Sequence, residues 1–152
     1  MTIGSICVRD VDLVKQDETV WQAAVRMRQR AVGTLVVVNA TRQPIGIITD
    51  RDLMERVIAE GRDPSTTLVP TVMTRDPATI GEKASIREAL PLMRCEGCRR
   101  LLVVDRAGSL VGLVSLDDVL MLLADEMAQI GHVVRGETPQ GIADEPVLSR
   151  WE

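Results

Sequence analysis

Aromatic residues are almost missing from this 152-residue sequence, which contains no Tyr or Phe and only two Trp. The protein therefore lacks the rings on which nucleic-acid bases stack, and its core must be aliphatic. Histidine is nearly absent too, since His132 is the single one. No acid–base relay with a second histidine is available, and no glycine-rich phosphate loop of the Walker type is present. We predict that the chain is not an enzyme.

Further absences bear on where the protein acts. The three cysteines are too few for a disulfide framework, which indicates a reducing compartment. No apolar run approaches the roughly 20 residues that cross a bilayer, and the first residues do not resemble a signal peptide. The net charge of −4 argues against a nucleic-acid surface. We therefore expect a cytoplasmic protein with neither nucleic acid nor membrane as a partner.

What the sequence does contain is an internal repeat. Residues 17–53 align without a gap with residues 83–119, an offset of 66 residues. The eight identities are Ala23/Ala89, Met27/Met93, Arg28/Arg94, Leu35/Leu101, Val37/Val103, Val38/Val104, Gly46/Gly112 and Asp52/Asp118. This period is too long for a solenoid and indicates a duplicated domain. We expect one repeat over residues 1–66, a second over 67–132 and an irregular tail over 133–152.

Each copy predicts the order helix, strand, strand, helix. Residues 19–22 and 85–88 have the form of capping boxes, in which a hydroxyl and a side chain three residues on satisfy the free donors of a helix start. Residues 35–38 and 101–104 are apolar runs without polar alternation, typical of strands covered on both faces. Turn formers then lead into a second strand and a second helix. The predicted fold class is α/β (α+β).

The second helices are expected to end near Gly61 and near Gly131, because glycine is favoured just past a helix end. The helix of the second copy contains the apolar run 119–124, followed by Met127 and Ile130, and we interpret it as apolar all round. A helix that covers one core needs only an apolar stripe, so the surplus predicts a second buried face. A homodimer contact is one interpretation, and burial on several sides within one monomer is the other.

The repeated motifs resemble those of the cystathionine-β-synthase-type (CBS) domain family over roughly residues 1–130. In the second copy they are Val69-x-x-Val72-Met73-Thr74, Ser85-Ile86-x-x-Ala89-x-x-x-Met93, Leu101-Leu102-Val103-Val104-Asp105 and Val111-Gly112-Leu113-Val114-Ser115-x-x-Asp118. The first copy departs in its leading segment, which has Cys7 where the second has Met73. The resemblance implies two repeats about a pseudo-twofold axis, clefts between them that commonly hold adenosyl ligands, and frequent association of two modules into a flat disc.

Candidate ligand-binding residues lie where the second strand of each copy meets the second helix. They are Thr49, Arg51 and Asp52 in the first copy, and Ser115 and Asp118 in the second. A hydroxyl and a carboxylate three residues later fall on one face of the first helical turn. The helix start favours a phosphate beside Thr49, and Asp52 can accept from both ribose hydroxyls. The alternative is that Thr49 and Asp52 only cap the helix.

Two arginines predict an asymmetry between the clefts. Arg99 and Arg100 precede the core strand of the second copy, where related modules have basic residues that reach a phosphate held by the opposite repeat. The first copy has Gly33 and Thr34 at these positions. We predict one strong site, at Asp52, because charge-assisted bonds to arginine are available there. The alternative is that both arginines are ordinary surface residues.

Cys95-x-x-Cys98 has the spacing of a redox or metal-binding pair. A structural zinc site needs four ligands, and the sequence offers only Cys7 and His132 besides. We interpret the two cysteines as small residues at a helix end, with redox regulation as the alternative. No metal site is predicted.

The leading functional hypothesis is a stand-alone regulatory module that binds an adenine nucleotide or adenosyl ligand between its repeats and acts on an effector protein. The ligand stays open among AMP, ADP, ATP, NADH and S-adenosylmethionine, and no cofactor is expected to be obligatory. The rival hypothesis is a ligand-free structural dimerisation adaptor.

Overall fold

The computed structural model describes residues 1–137, which form two copies of one structural unit. The first copy contains β1 (Leu13–Val14), α1 (Val20–Arg30), β2 (Thr34–Val38), β3 (Pro44–Thr49) and α2 (Asp50–Leu53), which continues as a π-helical turn over Met54–Ile58. The second contains β4 (Thr74–Arg75), β5 (Thr79–Gly81), α3 (Ile86–Cys95), β6 (Arg100–Val104), β7 (Leu110–Ser115) and α4 (Leu116–Glu137). The predicted fold class and the helix, strand, strand, helix order are confirmed.

The strands form two sheets. One has the order β1-β2-β3-β4, with β1 parallel to β2 and the other neighbours antiparallel, and the second has the order β5-β6-β7, with β5 parallel to β6. The two hairpins share one register, because Val36 pairs with Ile47 and Leu102 pairs with Leu113. The repeat found in the sequence is therefore reproduced in the strand pairing.

The leading segments of the two copies are exchanged. β4 belongs to the second copy but pairs with β3 of the first. In the same way Val8 of the first copy pairs with Leu113 of the second, through two backbone hydrogen bonds of 2.9 Å. Ile3 lies fully buried in the core of the second copy, and Val69 lies fully buried in the core of the first. Each core is therefore completed by a residue from the opposite copy.

A third apolar cluster joins the two sheets. Its buried centre consists of Val36 from β2, Leu102 from β6 and Leu110 from β7. The middle residues of β2 and β6 are buried throughout, which explains why these strands show no polar alternation. The buried core is aliphatic, as the lack of aromatic residues predicts.

Both first helices begin with the predicted capping boxes. At α1, the backbone N of Thr19 donates to Gln22 Oε1 at 2.8 Å, and the backbone N of Gln22 donates to Thr19 Oγ1 at 3.4 Å. At α3, the backbone N of Ser85 donates to Glu88 Oε2 at 2.8 Å. This hydrogen bond lowers the pKa of Glu88 below its ordinary value.

The second helices end differently from each other. In the first copy the helical segment stops at Ile58 and Gly61 takes a left-handed conformation with φ of +65°, as expected. In the second copy the predicted end at Gly131 is wrong, because α4 continues to Glu137. A single glycine inside a helix costs only about 1 kcal/mol, which the flanking helix formers can offset. Residues 133–137 are thus helical rather than irregular, and the rest of the predicted tail lies outside the described residues.

Candidate functional site

Two clefts lie between the copies at the ends of β2, β3, β6 and β7. The first, here called the Ser115 cleft, has a volume of about 270 Å³ and is lined by Val8, Asp10, Val11, Asp12, Val32, Gly33, Thr34, Arg100, Leu113, Ser115 and Asp118. The second, here called the Thr49 cleft, has a volume of about 290 Å³ and is lined by Thr34, Ile47, Thr49, Thr74, Asp76, Pro77, Ala78, Glu96, Cys98, Arg100 and Leu102.

The two clefts are equivalent positions of the repeat. Most residues of the Ser115 cleft have their counterpart, 66 residues away, in the wall of the Thr49 cleft. Ser115 corresponds to Thr49 in this way, and Thr34 corresponds to Arg100. The two clefts are therefore lined by equivalent positions of the repeat, and they differ in the side chains at those positions.

The hydroxyl and carboxylate of each strand-to-helix junction form a capping box. Asp52 Oδ2 accepts from the backbone N of Thr49 at 2.9 Å and from its Oγ1 at 3.0 Å. Asp118 Oδ2 accepts from the backbone N of Ser115 at 2.7 Å and from its Oγ at 2.6 Å. Both aspartates thus cap the helix that follows them, and whether they also bind a ligand stays a prediction. Capping uses Oδ2 of each aspartate, so Oδ1 can make a different contact.

The second carboxylate oxygen distinguishes the two aspartates. Asp52 Oδ1 lies 3.1 Å from Arg56 Nη2, and Asp52 is buried, with 8% of its surface exposed, outside the wall of the Thr49 cleft. Leu122 stands at the position equivalent to Arg56. Asp118 has no ion pair within residues 1–137, and it lines the Ser115 cleft. Among the described residues, Asp118 therefore keeps one carboxylate oxygen without an ion pair, whereas Asp52 does not. The strong site expected at Asp52 stays a prediction.

The predicted arginines are also placed differently from one another. Arg100 lines both clefts. Arg99 points to Asp117, with Nη2 at 3.2 Å from Oδ1, and its side chain is 71% exposed. Arg51 is directed to Glu55, with Nε at 2.7 Å from Oε1, and is also exposed. The structure therefore brings Thr49, Ser115, Asp118 and Arg100 to the clefts and leaves Arg51, Arg99 and Asp52 out of their walls.

Residues of the leading segments contribute to the clefts and were missed by the sequence analysis. Asp10 and Asp12 line the Ser115 cleft, and Arg30 holds both, with Nη2 at 2.9 Å from Asp10 Oδ2 and Nε at 2.7 Å from Asp12 Oδ1. Asp76 is the counterpart of Asp10 in the Thr49 cleft. The signal was present, because Asp10 and Asp76 obey the 66-residue offset outside the aligned segment.

The three cysteines differ in their exposure and surroundings. Within residues 1–137, no group of three or more His, Cys, Asp or Glu side chains is placed to hold a metal ion. Cys95 is exposed, and Cys98 is half-buried in the wall of the Thr49 cleft. Burial raises the pKa of the Cys7 thiol above its ordinary value, which disfavours the reactive thiolate.

A helix that crosses a bilayer must be both long and apolar. Within residues 1–137, each helix is too short or too polar to span a bilayer.

These features define a tandem α/β repeat with paired clefts at the junction of the copies. The chain belongs to the CBS domain family, whose model matches residues 3–59 and 69–125. The two matched segments are offset by the same 66 residues as the internal repeat, and the resemblance seen in the sequence is confirmed.

Relatives and solved structures agree with this assignment. An uncharacterised protein of Methanopyrus kandleri is 36% identical over 122 residues, which are 80% of this chain and 62% of that protein. The CBS domain pair of MJ0100 in complex with 5′-methylthioadenosine and S-adenosyl-L-methionine has a TM-score of 0.71 and 20% identity, and the match covers 81% of this chain and 99% of that one. CBSX2 in complex with AMP has a TM-score of 0.69 and 22% identity, with 83% and 98% covered. Likeness at these identities establishes the fold.

Proposed function

We propose that this chain is a cytoplasmic regulatory module that binds a nucleoside or nucleotide of the adenosyl class in the Ser115 cleft. The observation that carries the proposal is the Asp118 carboxylate, which lines a cleft between the two copies and keeps one oxygen outside its capping hydrogen bonds. A carboxylate in this position accepts hydrogen bonds from ribose hydroxyls. Val8, Val32 and Leu113 supply apolar surface for a base.

The size and charge of the cleft narrow the ligand class. Its volume of about 270 Å³ lies at the lower end of small-molecule pockets, which suits a mononucleoside better than a dinucleotide such as NADH. Asp10, Asp12 and Asp118 surround it, whereas Arg100 is the one basic residue of its described wall. Arg30 already pairs with Asp10 and Asp12, which leaves Arg100 as the one described cation available to a phosphate. A single guanidinium beside the unpaired Asp118 does not offset the charge of ADP or ATP, which are therefore disfavoured. Adenosine, 5′-methylthioadenosine, S-adenosylmethionine and AMP are therefore the favoured ligands.

Binding can act on an effector because both copies contribute to each cleft. Val32 and Gly33 belong to the first copy, whereas Ser115 and Asp118 belong to the second. A ligand that contacts both sides shifts the arrangement of the copies if it binds one arrangement more tightly than the other. The effector protein would read that shift.

The test is a thermal-shift and calorimetric titration of wild type, Asp118→Asn and Asp52→Asn with the four favoured ligands. A ligand at about 100 times its dissociation constant stabilises the native state by about 2.7 kcal/mol, or roughly 5–10 °C in a chain of this size. We expect this shift to disappear in Asp118→Asn and to persist in Asp52→Asn. Asp52→Asn is the matched control for Asp118→Asn. Both variants alter an aspartate that caps a helix, so a loss of binding in Asp118→Asn alone indicates a contact with the ligand. Equal loss in both variants, or no shift in wild type, would contradict the proposal.

A structural dimerisation adaptor is the second candidate function, and the exposed apolar face of α4 favours it. Leu120, Leu123, Met127 and Ile130 are 53%, 47%, 67% and 56% exposed and recur at spacings of three and four residues. This spacing places them in one stripe, typical of helices that pair with another helix. Because large exposed apolar patches mark interaction sites, a second copy of this chain is the proposed partner.

The adaptor hypothesis has its own experiment. Light scattering after gel filtration should give a dimer for wild type and a monomer for Met127→Glu. Gln129→Glu is the matched control, because it adds the same charge to an exposed position of α4 beside the stripe. A wild-type monomer, or dissociation of both variants to the same extent, would refute pairing through this face.

A further inference from the structure

Arg100 occupies an unusual position, because one side chain lines both clefts. Among the described residues of the two walls it is the single basic side chain. It is exposed and takes part in no hydrogen bond or ion pair of its side chain within residues 1–137. Its counterpart in the repeat, Thr34, also lines both clefts but carries no charge.

The remaining charges of the clefts are negative. Asp10, Asp12 and Asp118 line the Ser115 cleft, where Arg30 is engaged by Asp10 and Asp12 and leaves Asp118 unpaired within residues 1–137. Asp76 and Glu96 line the Thr49 cleft. An anionic group in either cleft therefore needs a cation, and the guanidinium is a strong and directional donor to phosphate. One guanidinium cannot orient its fork towards two clefts at once. An uncharged ligand does not need a cation in the cleft.

We propose that Arg100 is shared between the two clefts, so that an anionic ligand bound in one cleft lowers the affinity of the other cleft for a second anionic ligand. Uncharged nucleosides would fill the two clefts independently. The charge of the ligand would thus set the stoichiometry of binding. This inference rests on the proposed function, since it takes the clefts to be nucleoside sites.

Cleft-resolved titration tests the sharing. Methyl signals of Val11 report on the Ser115 cleft and those of Ile47 report on the Thr49 cleft. Adenosine and AMP are titrated separately into methyl-labelled protein, and the ratio of the two dissociation constants is determined for each ligand. We expect this ratio to be about tenfold larger for AMP than for adenosine, the effect of one charge-assisted contact.

Three variants identify the cause. In Arg100→Gln, AMP should bind more weakly and its ratio should fall to that of adenosine. Thr34→Arg, which adds a guanidinium at the equivalent position, should lower the AMP ratio while AMP still binds tightly. Arg99→Gln is the control, because Arg99 is the adjacent arginine and pairs with Asp117 outside both clefts.

The outcomes separate this inference from the proposed function. Equal ratios for AMP and adenosine in wild type would overturn the sharing of Arg100. An AMP ratio that stays high in Arg100→Gln would also overturn it, because it would indicate direct repulsion between two bound ligands. Binding of adenosine in one cleft alone would overturn it as well. In each of these cases nucleoside binding itself would stand. If neither ligand moves either signal, the proposed function fails and the inference fails with it.

Discussion

The ion pair between Asp52 and Arg56 distinguishes the first strand-to-helix junction from the second, and its contribution to stability can be measured. Arg56 Nη2 lies 3.1 Å from Asp52 Oδ1, beside a carboxylate whose side chain is 12% exposed. Exposed ion pairs at i,i+4 spacing contribute about 0.3–0.5 kcal/mol. Because Asp52 is buried while the Arg56 side chain is 42% exposed, we expect a coupling at the upper end of the range for surface pairs, about 1 kcal/mol.

A double-mutant cycle isolates this coupling. Urea unfolding is measured for wild type, Asp52→Asn, Arg56→Gln and the double variant. Arg56 also donates to the carbonyl oxygen of Val72 at 2.7 Å and to Thr74 Oγ1 at 3.1 Å, so the single variant loses more than the ion pair. The cycle removes those losses, because they occur whether or not Asp52 is present.

The second junction provides the matched cycle. Asp118→Asn combined with Leu122→Gln alters the equivalent positions, where no ion pair exists. We expect a coupling there within about 0.3 kcal/mol of zero. Similar couplings at the two junctions, or a value near zero at Asp52 and Arg56, would refute the view that Arg56 withdraws Asp52 from ligand binding.

Three further stability changes are expected in urea unfolding. Ile3→Ala should lower the free energy of unfolding by about 2–4 kcal/mol, because this fully buried residue completes the core of the opposite copy. Gly112→Ala should lower it by about 1–3 kcal/mol, because a Cβ there would lie 2.7 Å from the carbonyl oxygen of Val8. Glu18→Gln should destabilise at neutral pH but not well below pH 4.5. The hydrogen bond from Arg26 lowers the pKa of Glu18 in the folded state, so its stabilisation is present above the ordinary value of 4.5 and is lost as the pH falls through the lowered pKa.

Contrary results are specific to each change. An Ile3→Ala variant within about 0.5 kcal/mol of wild type would contradict the exchange of leading segments. Gly81→Ala is the control for Gly112→Ala, since a Cβ at Gly81 meets nothing within 4 Å. An equal loss of stability at the two glycines would exclude the contact with Val8 as its cause. A destabilisation by Glu18→Gln that is the same at pH 3 and pH 7 would exclude the ion pair as its cause.

Much of the fold follows from the sequence because its signals are local and occur twice. The capping boxes at residues 19–22 and 85–88 place the starts of α1 and α3, and the apolar runs place β2 and β6. Burial on both faces removes the alternation of polar residues from a strand, so these runs were informative by themselves. The exchange of leading segments is different, because no local pattern states which copy a buried residue such as Ile3 completes.

The position of the candidate clefts was predictable from the sequence, whereas the ion pair of Asp52 was not. The hydroxyl and carboxylate of each junction are visible as a motif, so Thr49 and Ser115 could be assigned to clefts. The surroundings of Asp52 depend on Arg56, whose two other contacts are the carbonyl oxygen of Val72 and Thr74 Oγ1. These partners belong to the opposite copy, and no sequence motif links them to Arg56, so the contacts could not be predicted from the sequence. The end of α4 was missed for a related reason, since glycine is only a weak stop signal when helix formers continue beyond it.

The small number of charged contacts in the Ser115 cleft also limits the response that a ligand can produce. A shift from 1:99 to 99:1 between two arrangements of the copies requires about 5.5 kcal/mol of differential binding. Hydrogen bonds to charged groups contribute about 1.5–3 kcal/mol each, and in the proposed site Asp118 would bind a ribose and Arg100 would bind a phosphate. With contacts that form in one arrangement only, adenosine would engage Asp118 alone and move the equilibrium in part, whereas AMP would engage both residues and approach a complete shift. Because Arg100 also lines the Thr49 cleft, we expect a phosphate bound there to reduce the response to AMP at the Ser115 cleft to the level reached with adenosine.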